Sequence, residues 1–275
     1  MPTDRKKLCL TCHQQEPPKK AVHPPFASDC VLCHNPHGND NRFFVKGGTG
    51  SESCQTCHGD VRQGIKFLHG PVAAGECLAC HSPHQSDFKG LLVQEQATLC
   101  QSCHVDVAQE LKGAVSVHPP ANNNCAGCHK PHGGDVKFFL AALGKDLCRK
   151  CHGDFLKSID TAKYPHKVMT EGKGCSNCHK PHASNQQRLL TADNMGLCLG
   201  CHDKTIQTGG RVLPNIKQQI ESSKYLHGPL REKSCIACHQ VGGAGGVVGP
   251  NLDFLKQFGS PLFVAAALWT HGPQM

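Results

Sequence analysis

Apolar residues in this chain come in short bursts rather than in long periodic runs. The longest continuous stretch, Leu262 to Trp269, has eight residues. A helix crossing a bilayer needs roughly 18, so no transmembrane span of the chain's own is expected. The pattern predicts two helices. One lies at 214–226, with Pro214 at its start and Ile216 and Ile220 one turn apart. The other lies at 261–270, framed by Ser260 as N-cap, Pro261 in the first turn and Gly272 as stop. Gly47-Gly48 and the segment from Gly242 to Gly249 read as loops. Helical turns at a recurring cysteine motif, joined by irregular chain, make up the rest. The expected fold class is therefore mostly irregular with short α-helices and little or no β-sheet.

Composition sharpens this picture. The 275 residues include 20 Cys, 20 His, 29 Gly and 18 Pro, with 5% aromatic residues and one Trp. The 38% apolar content already counts the cysteines, so the stock of core-forming side chains is thin. Such a chain cannot bury enough side-chain surface to offset its own ordering entropy. Something else must supply the interior. The formal charge is +8, yet no basic run exceeds three residues (Arg5-Lys6-Lys7), and this dispersal argues against nucleic acid as a partner.

Every cysteine belongs to a C-x-x-C-H unit. Cys9 and Cys12 precede His13, Cys30 and Cys33 precede His34, and Cys54 and Cys57 precede His58. Cys77 and Cys80 precede His81, Cys100 and Cys103 precede His104, and Cys125 and Cys128 precede His129. Cys148 and Cys151 lead to His152, Cys175 and Cys178 to His179, Cys198 and Cys201 to His202, and Cys235 and Cys238 to His239. The phrase is that of c-type haem attachment. Two thiols add to the two vinyl groups of a haem, and the adjacent imidazole becomes its proximal iron ligand. A zinc array would not need a histidine after every second cysteine, and a disulfide framework would not space its thiols so uniformly. Ten covalently attached haem c groups are expected, and their macrocycles are the missing core.

The motifs alternate in character. Odd ones tend to follow leucine, as at Leu99, Leu147 and Leu197. Four even ones continue as C-H-x-P-H, placing His37, His84, His132 and His182 three residues after a proximal histidine. After each of these comes a basic residue and then an apolar pair, Phe43-Phe44, Leu91-Leu92, Phe138-Phe139 and Leu189-Leu190, read as packing on a porphyrin edge. Another histidine, usually beside proline, stands between the two motifs of each pair: His23, His69, His118, His166 and His227. Five two-haem modules follow, at 1–45, 46–92, 93–140, 141–190 and 191–275. A histidine three residues from a proximal ligand lies on the same porphyrin face. It cannot reach the opposite side of its own iron, so it must serve a neighbouring haem, with proline fixing the intervening backbone. The expected assignment keeps ligands within modules. It gives His37, His84, His132 and His182 to haems 1, 3, 5 and 7, and His23, His69, His118 and His166 to haems 2, 4, 6 and 8, with His227 on haem 9.

Over about residues 8–239 these features resemble the doubled-CXXCH family of multihaem cytochromes. Haem count and module length are also similar to those of the decahaem component of outer-membrane porin–cytochrome conduits. The fifth module lacks C-H-x-P-H, and the segment that follows resembles a class I cytochrome c, with "GGVVGPNL" at 245–252 and a Met after a helix. That resemblance implies that Pro250 packs beside the proximal His239 and that Met275 caps the tenth iron, with His271 as the competing donor. The resemblances together imply an electron carrier rather than an enzyme: a long-range conduit for extracellular or trans-envelope electron transfer. Its partners would be redox proteins, and an outer-membrane β-barrel or further copies of the chain in a filament are the implied assemblies. A reductase with one open haem is the alternative from another class. Met1 is followed by polar and basic residues with no apolar signal region. Haem attachment of this type takes place outside the cytoplasm, so the sequence reads as a mature or trimmed form acting in the periplasm, at the outer membrane or outside the cell.

Overall fold

The two classes of motif fold differently. In the computed structural model, which describes residues 4–14, 16–48, 50–161, 166–169, 171–208, 210–237 and 239, odd motifs are entered on α-helices: Arg5–Cys9, Ser51–His58, Gln96–Gln101, Gly144–Asp160 and Asn194–Leu199. Even motifs form single 3-10 turns at Cys30–Leu32, Cys77–Ala79, Cys125–Gly127, Gly174–Asn177 and Cys235–Ala237. Several odd helices start on a side-chain cap, because their first backbone N–H groups have no partner within the helix. Asp4 accepts from the Lys7 N–H, Glu95 from Ala97 and Thr98, and Asp193 from Gly196. The motif histidine's N–H donates to the first cysteine's carbonyl at 2.9 Å for His13 and 3.0 Å for His34, and likewise at His81, His104, His129, His179 and His202. One helical turn thus sets the first thiol and the imidazole on the same side of the backbone.

A second recurring device explains the prolines beside the inter-motif histidines. His23, His69, His118 and His227 are the N-cap residues of the short helices Pro24–Ser28, Gly70–Ala73, Pro119–Asn123 and Gly228–Arg231. Each helix carries proline in its first two positions, where the missing N–H costs nothing and the fixed φ suits the helix. Just before three of these histidines lies a two-residue strand. Ala21–Val22 pairs antiparallel with Gln85–Ser86, Phe67–Leu68 with Gly133–Gly134, and Ser116–Val117 with Ala183–Ser184. With the hairpin of Ile206–Thr208 and Arg211–Leu213, these ladders are the sheet content among the described residues, in keeping with the expected fold class.

After each C-H-x-P-H phrase the chain turns back, so that His34, His81, His129 and His179 bridge Val45, Leu92, Leu140 and Leu190. Two consecutive residues at the tip take the left-handed conformation: Phe43 and Phe44, Gly90 and Leu91, Phe138 and Phe139, Arg188 and Leu189, with φ between 56° and 73°. Glycine adopts this freely, whereas a side chain at the same place is strained.

The helix expected at 214–226 is shorter, Ile216–Ser222, because Asn215 caps it by accepting from the Gln218 N–H. In the other direction, the turn expected at Cys148 extends to Asp160. That carboxylate lies 2.8 Å from both Lys145 and Arg149, and Leu156 and Ile159 are buried on the same helix. The helix expected at 261–270, with Pro250, Cys238, His271 and Met275, lies outside the described residues.

The chain divides into two compact units, Met1–Lys112 with His118–Leu143, and Gly113–Val117 with Gly144–Met275. Neither owns much side-chain core. The buried apolar residues described are Ala97, Leu111, Leu156, Ile159 and Ala183. Phe43, Phe44 and Phe138 are 65%, 54% and 76% exposed, so these aromatic rings are not consumed by packing on polypeptide. No described helix is long and apolar enough to cross a membrane.

The left-handed turn can be tested at the exposed Arg188. A non-glycine residue pays roughly 1–2 kcal/mol for this conformation, part of which glycine returns through its unfolded-state entropy. Arg188→Gly is expected to leave stability unchanged or raise it by up to about 1 kcal/mol, whereas the β-branched Arg188→Val lowers it by about 1 kcal/mol or more. Equal melting temperatures for the two variants would remove the strain account.

Candidate functional site

A histidine nitrogen binds a first-row metal ion at about 2.0–2.1 Å, and the ring centre lies about 1.1 Å behind it. Two imidazoles on opposite sides of one ion therefore stand about 6 Å apart, centre to centre. In the first unit, His23 lies 6.0 Å from His58, His69 is 6.0 Å from His104, His34 is 6.3 Å from His84, and His81 is 6.0 Å from His132. In the second unit His166 lies 6.4 Å from His202. Each pair joins one motif histidine to one histidine from outside the motifs, and the ring-centre spacing is that of axial ligands to an iron held between them. The donor set thus fits haem.

The pairing departs from the expected assignment. His84, three residues after His81, turns to His34 of the preceding module, and His132 turns to His81. His23 and His69 face the odd motifs of the following module, at His58 and His104, rather than the even motifs of their own. His166 faces His202, the iron expected to fall to His227. Imidazoles facing one another between modules replace the pairing expected within them. The physical reason is the two-residue ladder: by pairing Ala21–Val22 with Gln85–Ser86, it brings His23 and His84 to one junction, where the His23 N–H donates to the His84 carbonyl at 2.8 Å. The His69 N–H donates to the His132 carbonyl in the same way at 3.3 Å.

Each ring is also turned by a hydrogen bond at its other nitrogen. The Nδ1 atoms of His34, His81, His129 and His179 lie 2.8, 2.8, 2.8 and 2.9 Å from the carbonyls of Phe43, Gly90, Phe138 and Arg188. These four carbonyls belong to the first left-handed residue of each turn, which gives the strained backbone its purpose: it aims an acceptor at a proximal imidazole. His23 and His69 are held similarly by the carbonyls of Pro83 and Pro131, at 2.8 and 2.9 Å. The proline of H-x-P-H therefore orients an imidazole that faces another motif. With Nδ1 engaged, Nε2 is the nitrogen presented to metal. His84 differs, with Nδ1 2.8 Å from the Glu16 carboxylate, whose pKa that hydrogen bond lowers from the usual carboxylate value. Burial lowers the pKa of His132, with His81 and His69 adding to it, which favours the neutral, ligating imidazole.

The thiols form a sequence of neighbours. Burial raises the Cys30 pKa, and the adjacent Cys9 adds to it. Cys54 is raised by burial, then by Cys77 and Cys33, and Cys80 by burial and then Cys103. Cys100 is pushed up to about 11 by burial and by Cys125. In the second unit Cys178 is raised by burial and by Cys201, and Cys198 is pushed up to about 11 by burial and by Cys235. Attachment points of successive motifs thus adjoin one another, first to sixth in one unit and eighth to tenth in the other. The described cysteines are free of disulfides, and no described cluster of His, Cys, Asp or Glu is set to hold a bare metal ion.

Among the described residues no second imidazole faces His13, His37, His179 or His227. Glu16 was not legible in the sequence, since it belongs to no motif; the turn carbonyls lie in the recurring basic–apolar phrase, whose pattern marks the side chains and not the role of the backbone.

The family defined by the doubled CXXCH motif matches residues 23–63, 69–109, 118–157 and 166–207. The matched repeats begin at His23, His69, His118 and His166, one haem out of phase with modules that start at the odd motifs. The pairs His23–His58, His69–His104 and His166–His202 each fall inside one repeat. Multiheme cytochrome MtrA of Shewanella baltica (strain OS185) is 37% identical over 103 residues, covering 36% of this chain and 31% of that protein. The match spans less than a third of the relative's length. With its motif repeated through more than half of the chain and its imidazoles set in pairs at the spacing of axial ligands, the chain belongs to the doubled-CXXCH family of multihaem c-type cytochromes.

Proposed function

We propose that the chain carries ten haems and works as a long-range electron conduit across or beyond the cell envelope, without an enzymatic step. The observation that carries this reading is the succession of adjoining attachment thiols, Cys9 to Cys30, Cys33 to Cys54, Cys54 to Cys77, Cys80 to Cys103 and Cys100 to Cys125. Haem c supplies a reversible one-electron iron couple at each motif. The polypeptide fixes the order and closeness of these centres, closes both axial positions of each, and sets their polarity. No side chain is asked to act as acid, base or nucleophile.

The five imidazole pairs account for five irons. Those held by His13, His129, His152, His179 and His239 remain, and five donors remain for them: His37, His118, His182, His227 and Met275. We assign these donors to these irons, which makes every haem six-coordinate, nine by two histidines and one by His239 and Met275. Assembly of haem c outside the cytoplasm places the protein in the periplasm, at the outer membrane or at the cell surface. Redox proteins are its donors and acceptors, and the resemblance in motif count and module length to the decahaem component of porin–cytochrome conduits favours an outer-membrane β-barrel as the surrounding partner, with a filament of like copies as the alternative.

Intact mass is expected to exceed that of the polypeptide by ten haems, with the pyridine haemochrome spectrum of thioether-linked haem; a count of eight or fewer would sink the reading. The oxidised protein should be low-spin throughout. His84→Ala should convert one iron in ten to a high-spin form that binds carbon monoxide when reduced, and unchanged electron paramagnetic resonance would exclude His84 as a ligand. A thioether favours ferrous iron relative to imidazole. Met275→His should therefore lower a single potential and abolish the weak long-wavelength band of ferric iron–thioether ligation. If the wild type lacks that band and His271→Ala creates a high-spin iron, His271 is the tenth donor.

A further inference from the structure

We infer that Glu16 is a positioning residue that lowers the redox potential of the second haem, the one attached at Cys30 and Cys33, through the imidazole of His84. The inference rests on the assignment of His84 and His34 to the same iron. Six other imidazoles direct Nδ1 at a neutral backbone carbonyl: His23, His34, His69, His81, His129 and His179. His84 directs it at a carboxylate oxygen 2.8 Å away.

The contact is built rather than incidental. The other oxygen of Glu16 accepts from the Gln85 Nε2 at 3.2 Å, and that amide also donates to the Pro17 carbonyl at 2.8 Å and accepts from the Lys19 N–H at 3.2 Å. Gln85 is only 3% exposed and lies in the ladder with Ala21–Val22, so the clamp on Glu16 is anchored in the same junction that sets His84. Phe26 stacks on the His84 ring at 4.6 Å and 19°, which fixes the ring plane from the other side. With its position held from three directions, the imidazole keeps the N–H aimed at Glu16.

A carboxylate draws the Nδ1 proton more strongly than a carbonyl does and makes the imidazole a more basic, more electron-donating ligand. Greater donation stabilises ferric over ferrous iron, and the potential falls. The second haem then lies below the value its two histidines alone would set. In a succession of otherwise similar centres this makes a step between the first haem and the third. An electron is least favourably held there, and the step controls how readily the first haem exchanges charge with the rest.

The test is a redox titration of the intact, fully loaded protein, with Glu16→Gln and Glu16→Ala beside the wild type. Glu16→Gln keeps an acceptor but removes the charge. Both variants should remain low-spin at every iron and raise one potential of the set. The paramagnetic resonance of one low-spin centre should shift with it, because the donor strength of one ligand has changed. A purely structural role for Glu16 would instead lower the melting temperature while leaving the potentials alone, or turn one iron high-spin. Titration curves that superimpose on the wild type would overturn the inference. The His84→Ala variant separates the two levels. If it yields one high-spin iron while Glu16→Gln shifts no potential, the ligand assignment stands and the role given to Glu16 fails. If it yields none, the assignment itself fails.

Discussion

An iron in a porphyrin can be approached along its axis only from two opposite faces, and a C-x-x-C-H motif commits its own stretch of chain to one of them. Everything else in this fold follows from where the second face finds its ligand. The motif cannot supply it, and the histidine three residues on, held by proline on the same side, cannot either. The second ligand must come from a distant segment. In this chain the imidazole that faces a motif histidine comes from another module, His84 to His34 across 50 residues of sequence and His23 forward to His58. Short ladders, N-cap histidines and left-handed turns are the means by which a chain of short helices and turns delivers imidazoles to those points.

The same constraint accounts for the sparse core. Few described apolar side chains are buried, while Phe43, Phe44 and Phe138 stand open. In an ordinary domain of this length that distribution would not offset the entropy of ordering the chain. Here the apolar macrocycles take the place of a side-chain interior, and each is tied down at two thiols and by its axial imidazoles. Coordination bonds thus do work that hydrophobic packing does elsewhere, and their geometry is directional where packing is not. This is why the orientation of each Nδ1 is specified so closely, down to a strained backbone that aims a single carbonyl.

What could be read from the sequence divides along the same line. The motifs are local, so the C-x-x-C-H units were legible, and so was the pool of further histidines. Which donor meets which iron was not, because that choice is made by ladders two residues long, such as Phe67–Leu68 with Gly133–Gly134. Nothing in the hydrophobic pattern of two residues marks a strand. The family's repeats take another phase than the modules drawn from the motifs. Repeats drawn from the odd motifs look self-sufficient, whereas the matched repeats start at the donor histidine and enclose His23 with His58. Phe43 and Phe138 were read as porphyrin contacts from their hydrophobicity, and their left-handed backbone could not be anticipated because glycine, the usual sign of that conformation, stands only at Gly90. The helix through Asp160 was missed because the motif at Cys148 hid its continuation, whose apolar face, Leu156 and Ile159, is only one turn long.

Interlocking of this kind also bears on how the protein can be made. A chain emerging into the compartment where haem is attached presents its N-terminal end first. The motif at Cys30 is then ready for its haem while His84 is still to come, whereas the motif at Cys54 arrives with His23 already waiting. If these pairs hold iron, the second and fourth centres, whose partners His84 and His132 come later in the chain, must pass through a stage with one face of the iron open. The third, fifth and ninth, partnered by His23, His69 and His166, need not. Biogenesis would have two kinds of intermediate along one polypeptide, and the vulnerable kind at the second and fourth centres is closed only by synthesis of the next repeat. A break in the chain between repeats would leave the earlier piece with an iron that its own residues were never arranged to finish.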